Sequence, residues 1–266
     1  MRIAALLLAA SAYVLLAAGL VLMKKGIGWF GLRTPRDAVW RRALGIWSVG
    51  FLLSNAYIIP VTLALREFPP HLVAAFAGLA VIVMVLLSRA WLGERLRRSD
   101  ALYVPVMALA IGLLSLSARA GAGGAGTPLR LAAAAAFPVI LLSGVFVRGI
   151  SGRGRAVLLA AISGISTGMI VVLMRVLVAG YGTRVGDYFG SPYLYLYLVF
   201  SLLAFLALQF AYKMDSLLRT APVQFAASIV YPAICSILVF GNSIEPVQAA
   251  AIAAIALATL GILKGR

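Results

Sequence analysis

Apolar residues run along this chain in long unbroken blocks, separated by short polar connections. The two-residue alternation of a half-buried strand is absent, and so is the 3.6-residue stripe of a surface helix. Nine blocks can be marked, roughly 3–23, 43–65, 72–92, 101–118, 131–148, 156–179, 192–212, 221–240 and 246–263. Each is close to the roughly 20 residues that carry a helix across a bilayer. In hydrocarbon a segment must satisfy its own backbone, so each block is expected to be helical. The pattern predicts an all-α polytopic membrane protein of about nine transmembrane helices. The longer connections are "GIGWFGLRTPRDAVWRR", "AGAGGAGTP" and "YGTRVGDYFGSP". Ala10-Ser11-Ala12 in the first block resembles a signal-peptide cleavage site. The apolar run continues to Met23, however, and Lys24 and Lys25 follow it, so it is expected to be kept as the first helix.

Composition agrees. Of 266 residues, 64% are hydrophobic and 11% charged, and no soluble globule hides so large an apolar fraction. The formal charge of +16 would point to nucleic acid in a soluble protein, but here lysine and arginine gather in the short loops. No nucleic-acid partner is expected; the partner is the bilayer. With the loops assigned to alternate sides, seventeen of the 23 basic residues share one side. Only Arg2, Arg66, Arg119, Arg130, Arg175 and Arg184 take the other. The positive-inside rule then sets the N-terminus outside and the C-terminus in the cytoplasm, as in a multi-pass protein of a cell membrane, a bacterial inner membrane by expectation. Cys235 and His71 are each the only residue of their type. That excludes a disulfide framework, a Cys/His metal cluster and a Ser/His/Asp triad. No enzyme activity, cofactor or metal site is expected.

The charge-rich "WLGERLRRSD" (91–100) has a counterpart without arginines in "VFGNSIEPVQ" (239–248), matching Gly93-Glu94 with Gly241-Asn242 at an offset of 148. "LALREFPPHLVAA" (63–75) lies over "SLLRTAPVQFAAS" (216–228) at 153, and "LAASAYVLLAAGLVLMK" over "LAAISGISTGMIVVLMR" at 151. Three matches at nearly one offset predict an internal repeat. Residues 1–118 form the first four-helix copy, 119–155 a connector helix with its loops, and 156–266 the second copy. A single connector helix turns the second copy upside down, as in the inverted repeats of transporters. Outward placement of the second loop accounts for its missing arginines.

"WLGERL", the first helix closing in "LMKKG", and "REFPPHLVAAFAGLAVIV" resemble the drug/metabolite transporter superfamily. The stretch "LQFAYKMDSLLRTAPVQFAASIVYPAICSILVFGNSIEP" is similar to the closing helices of EamA-like members. Nine helices, with Gln-x-x-Tyr-Lys and Ser-Ile-Val-Tyr-Pro, look most like the NIPA-type magnesium transporter branch. The resemblance implies a transporter of inverted repeats. Small multidrug-resistance relatives carry a glutamate in the first helix; here the stretch is Ala10-Ser11-Ala12-Tyr13-Val14, and the second Gly-Glu is Gly241-Asn242. Both departures argue against proton-coupled cation export by that mechanism.

All seven acidic residues fall in loops or at helix ends by these boundaries, which weakens a magnesium pathway and favours a neutral or anionic substrate. Mid-helix serines and threonines are expected to bond across helices or back to their own backbone. Amides are costlier to bury, so Asn55, Gln209 and Gln224 are candidates to line a cavity, with Tyr57 and Tyr231 beside them. Arg175 is a snorkelling residue or a counter-charge for an anion. Pro60, Pro105, Pro138 and Pro232 are candidate kinks, and "YLYLYL" an interfacial aromatic belt. The leading reading is a transporter of a small organic solute working by alternating access. A magnesium transporter, a flippase of a lipid-linked substrate and a membrane scaffold are the alternatives, and a homodimer is left open.

Overall fold

The computed structural model describes residues 2–27, 38–64, 76–117, 127–147, 149–181 and 185–264. Among these residues the chain is all-α. Its helices are α1 (Arg2–Ile27), α2 (Ala38–Ala56), α3 (Ile58–Ala64), α4 (Ala77–Leu92), α5 (Arg98–Leu116), α6 (Pro128–Gly144) and α7 (Gly152–Tyr181). After a 3-10 turn at Val185–Gly190 come α8 (Pro192–Met214), α9 (Leu217–Leu238) and α10 (Pro246–Lys264). With α2 and α3 counted as one span, each of the nine apolar blocks has its helix. Seven spans are long and apolar enough to cross a membrane, whereas α4 and α6 have 16 and 17 residues. His71, most of the 63–75 match and the glycine-rich loop at 120–126 lie outside the described residues.

The second span breaks at Tyr57, between α2 and α3. Pro60 explains the position. It has no N–H to give the carbonyl of Ala56, so the α2 ladder ends there. The Val61 amide restarts the ladder by bonding the Tyr57 carbonyl at 3.2 Å. Pro105 and Pro138 lie inside α5 and α6 without dividing them.

The chain forms two compact units, neither continuous in sequence. One is Met1–Arg119 with Ser216–Pro222 and Pro246–Arg266; the other is Ala120–Asp215 with Val223–Glu245. In the first unit α1 packs along α2 at backbone distance. A Cβ on Gly19 would stand 2.7 Å from the Gly50 carbonyl oxygen, and one on Gly50 would stand 2.7 Å from the Gly19 oxygen. Apolar side chains gain little from each other in lipid, so close backbone approach through small residues is what joins such helices. Helix α10 runs antiparallel to α5. Gln248 Nε2 donates to the Ser117 carbonyl at 2.9 Å, Thr259 lies against Met107, and Gly261 lies under the Tyr103 ring.

The second unit is built around α7, enclosed along most of its length. Ile165, Met169, Val172 and Leu173 of α7 pack with Leu131 of α6, Phe200 of α8, Tyr231 and Cys235 of α9, and Val239 and Phe240 just after it. Ser163 Oγ donates across to the Ala204 carbonyl of α8 at 2.8 Å. In "YLYLYL", Tyr193 and Tyr197 pack inward on this cluster while Tyr195 is exposed, the division that helical spacing of four imposes. Outward-facing Leu109, Leu129 and Leu257 are 75%, 81% and 67% exposed, a surface suited to acyl chains and not to water.

Helices α4 and α9 end alike. Gly93 (φ +67) and Gly241 (φ +69) take the left-handed conformation that a side chain resists. The next amide then reaches back six residues, Glu94 N–H to the Ser88 carbonyl (3.3 Å) and Asn242 N–H to the Ser236 carbonyl (3.0 Å). Each pair of equivalent residues is 148 apart. The following helices, α5 and α10, have 19 residues each and also begin and end 148 apart.

Candidate functional site

The six residues singled out in the sequence divide between the units. Asn55 and Tyr57 belong to the first; Arg175, Gln209, Gln224 and Tyr231 to the second. Asn55, near the end of α2, is exposed, and its Nδ2 donates to the Phe51 carbonyl one turn back at 2.8 Å. Tyr57 sits half-buried at the break before α3, its ring 6.5 Å from that of Tyr13 and tilted by 54°. The break that Pro60 creates thus carries an aromatic pair between α1 and the second span.

In the second unit, two of the four residues are held by packing. The Tyr231 hydroxyl donates to the Ala134 carbonyl of α6 at 2.5 Å, and its ring stacks on Phe137 with centroids 6.0 Å apart. Its phenol is therefore engaged by a neighbouring helix. Arg175 is half-buried on α7 with its guanidinium carbon 4.2 Å from the Phe240 ring centroid, a cation–π contact. Both side chains rest on the same apolar cluster.

Gln209 on α8 and Gln224 on α9 are each only 8% exposed. Opposite Gln224 stands Gly164 of α7, where an added Cβ would overlap the Gln224 carbonyl oxygen. The Gln224 side-chain Oε1 is buried and accepts no hydrogen bond from the described residues, and Ser166 Oγ on α7 has no partner among them either. A buried amide oxygen without a donor costs about 1–3 kcal/mol.

Most other hydroxyls are satisfied locally, as expected for serine and threonine in membrane helices. Ser11, Ser54, Ser88, Ser143 and Ser228 donate three residues back. Thr167, Ser201, Thr220 and Thr259 donate four residues back. An open groove of about 700 Å3 between α4 and α5, lined by Gly78, Leu79, Ile82, Pro105, Ala108 and Leu109 among others, is apolar and offers a polar solute nothing to bond. Among the described residues no three of His, Cys, Asp or Glu come together.

No family profile, curated protein or solved structure matches the chain.

Sequence reasoning missed one residue. Glu94 was expected only in a charged topology-setting loop, yet its carboxylate accepts the first two amides of α9, Leu217 N–H on Oε1 at 2.8 Å and Leu218 N–H on Oε2 at 2.9 Å. The signal lay in the exchange of Gly-Glu for Gly-Asn between the two matched loops. Asn242 instead turns back on its own helix, Nδ2 donating to Ser236 Oγ at 2.7 Å.

Proposed function

We propose that this chain is a secondary transporter of the drug/metabolite type, moving a small organic solute by alternating access through two inverted four-helix copies, 1–118 and 156–266. The observation that carries the reading is the helix end repeated at one offset: Gly93 and Gly241 take the same left-handed conformation, each followed by an amide that reaches six residues back, and the nineteen-residue helices that follow keep the same 148-residue spacing. The antiparallel course of α5 against α10 supports an inverted relation between the copies, as a single connector helix requires. Helices duplicated upside down give a protein two related packings, and alternating access exchanges them.

The substrate is a neutral or anionic solute with hydrogen-bond donors, bound in the second unit by Gln224 together with Gln209. Support for this choice comes from the open acceptor of Gln224 and from the absence of helix-central carboxylates. The N-terminus lies outside and the C-terminus in the cytoplasm of a bacterial inner membrane. The test begins with metabolite profiles of cells lacking or overproducing the protein, followed by flux of the changed metabolite in proteoliposomes. In a Cys235→Ala background, Gln224→Cys reacts with a small water-soluble thiol reagent, and the solute protects it. No metabolite difference, together with an unreactive Gln224→Cys, would sink the reading.

A further inference from the structure

Helix α9 is shared between the two compact units: its first turn through Pro222 belongs to the first, and Val223 onward to the second. Two features hold that first turn. Leu217, Leu218, Ala221 and Pro222 line one small apolar recess with Val81, Met84 and Val85 of α4. Above it, both oxygens of Glu94 accept the amides of Leu217 and Leu218. These amides have no partner within their own helix, and a carboxylate there also meets the positive end of the helix dipole. Pro222 supplies no N–H, so the Leu218 carbonyl lacks its usual helical partner, and α9 is weakened just beyond the clamped turn as it is again at Pro232. The equivalent residue of the second copy, Asn242, donates instead to Ser236 on its own helix. Among the described residues the cross-helix tie of Glu94 has no counterpart at the matched end.

We propose that Glu94 is a latch: it holds the first turn of α9 against α4 and keeps the cytoplasmic end closed, and its release lets α9 bend at Pro222 and open that end. The inference deepens the transporter reading and rests on it for what the opening admits. Two states of an inverted-repeat protein would otherwise be nearly equivalent; the single-sided tie makes one preferred. Glu94 acts here as a positioning residue, through α9.

The experiment uses the full chain in the Cys235→Ala background with Glu94, Glu94→Gln or Glu94→Ala. Thr220→Cys, a near-isosteric change at a fully buried position of the clamped turn, reports the cytoplasmic end through labelling in inside-out vesicles. Asn55→Cys, at an exposed position in the outer half of its span, reports the outer side in right-side-out vesicles. Hydrogen exchange over residues 216–222 reads the latch directly. Losing one charge-assisted hydrogen bond shifts an opening equilibrium by about tenfold or more. Thr220→Cys labelling and exchange over 216–222 are expected to rise by about that factor in Glu94→Ala and by less in Glu94→Gln, which keeps one acceptor. Asn55→Cys labelling falls as the outer side closes. A rise at Thr220 with no change at Asn55 supports the latch and removes the alternating-access reading. Unchanged labelling at Thr220 in both variants overturns the proposal, and so does an equal rise at both reporters with a lower melting temperature, which is general loosening.

Discussion

Gly93 and Gly241 stand 148 residues apart with φ of +67° and +69°, and each is followed by an amide that reaches back to a serine carbonyl, Ser88 or Ser236. Nothing lies within 4 Å of where a Cβ would stand on either glycine, so the backbone conformation alone selects the residue. Gly93→Ala and Gly241→Ala are each expected to lower stability by about 1–2 kcal/mol, the penalty of holding an L side chain in the left-handed region. Thermal unfolding in detergent measures it. If both variants melt with the wild type, the two loops relax out of this conformation and the shared cap is not what specifies them.

The α1–α2 seam makes a sharper demand. Because Gly19 and Gly50 each face the other's carbonyl oxygen at 2.7 Å from an added Cβ, Gly50→Leu is expected to drive the helices apart and abolish most folded protein in size-exclusion chromatography. Gly45, on the same helix α2, has nothing within 4 Å of its Cβ position. Gly45→Ala is expected to leave the yield unchanged or raise stability by up to about 1 kcal/mol through helix propensity. Equal effects at Gly45 and Gly50 would refute the packing explanation.

Gln224 and Tyr231, seven residues apart on α9, should respond in opposite ways. Gln224→Ala removes a buried oxygen that has no donor, so stability holds or rises while transport of the solute falls several-fold, on the order of 1 kcal/mol for one hydrogen bond. Tyr231→Phe deletes the bond to the Ala134 carbonyl, lowering stability by about 1 kcal/mol while transport per folded molecule is unchanged. Melting curves paired with flux per folded molecule give both numbers. The reverse pattern would assign the solute to Tyr231 and the packing role to Gln224.

Topology is tested independently of any substrate. A reporter fused after Arg266 is expected to read as cytoplasmic, and one inserted at 120–127 as external. Within the first unit, Glu94 holds the end of the α4–α5 connection to the start of α9, and Gln248 ties the start of α10 to the end of α5. An arrangement with each of those pairs on one membrane face needs an even number of crossings between its two members, and the nine-span order places four helices between each pair. Both reporters on the same side would defeat the nine-span arrangement.

Where each helix lies was readable from residue type. The block at 246–263 became α10 at Pro246–Lys264, and the block at 192–212 became α8 at Pro192–Met214, because water-to-lipid transfer acts on each segment separately. The local fate of most hydroxyls was readable for the same reason: a Ser or Thr finds a carbonyl three or four residues back whatever its neighbours do. The break at Tyr57 was half-visible, since Pro60 marked a kink without saying that α2 would stop four residues earlier.

Sequence alone therefore determined the membrane class, the order of the apolar helices and the two matched Gly-x loops, since these rest on hydropathy, charge and backbone preference within a few residues. Only the tertiary structure decided what the polar groups meet. Glu94 and Leu217 are 123 residues apart in the chain, as Tyr231 and Ala134 are 97 apart. The same apolar surroundings leave Tyr231 satisfied and the Gln224 oxygen open. A partner at that separation depends on which helices pack and at what depth, and helices that are apolar on every side carry no periodic stripe from which the packing can be read.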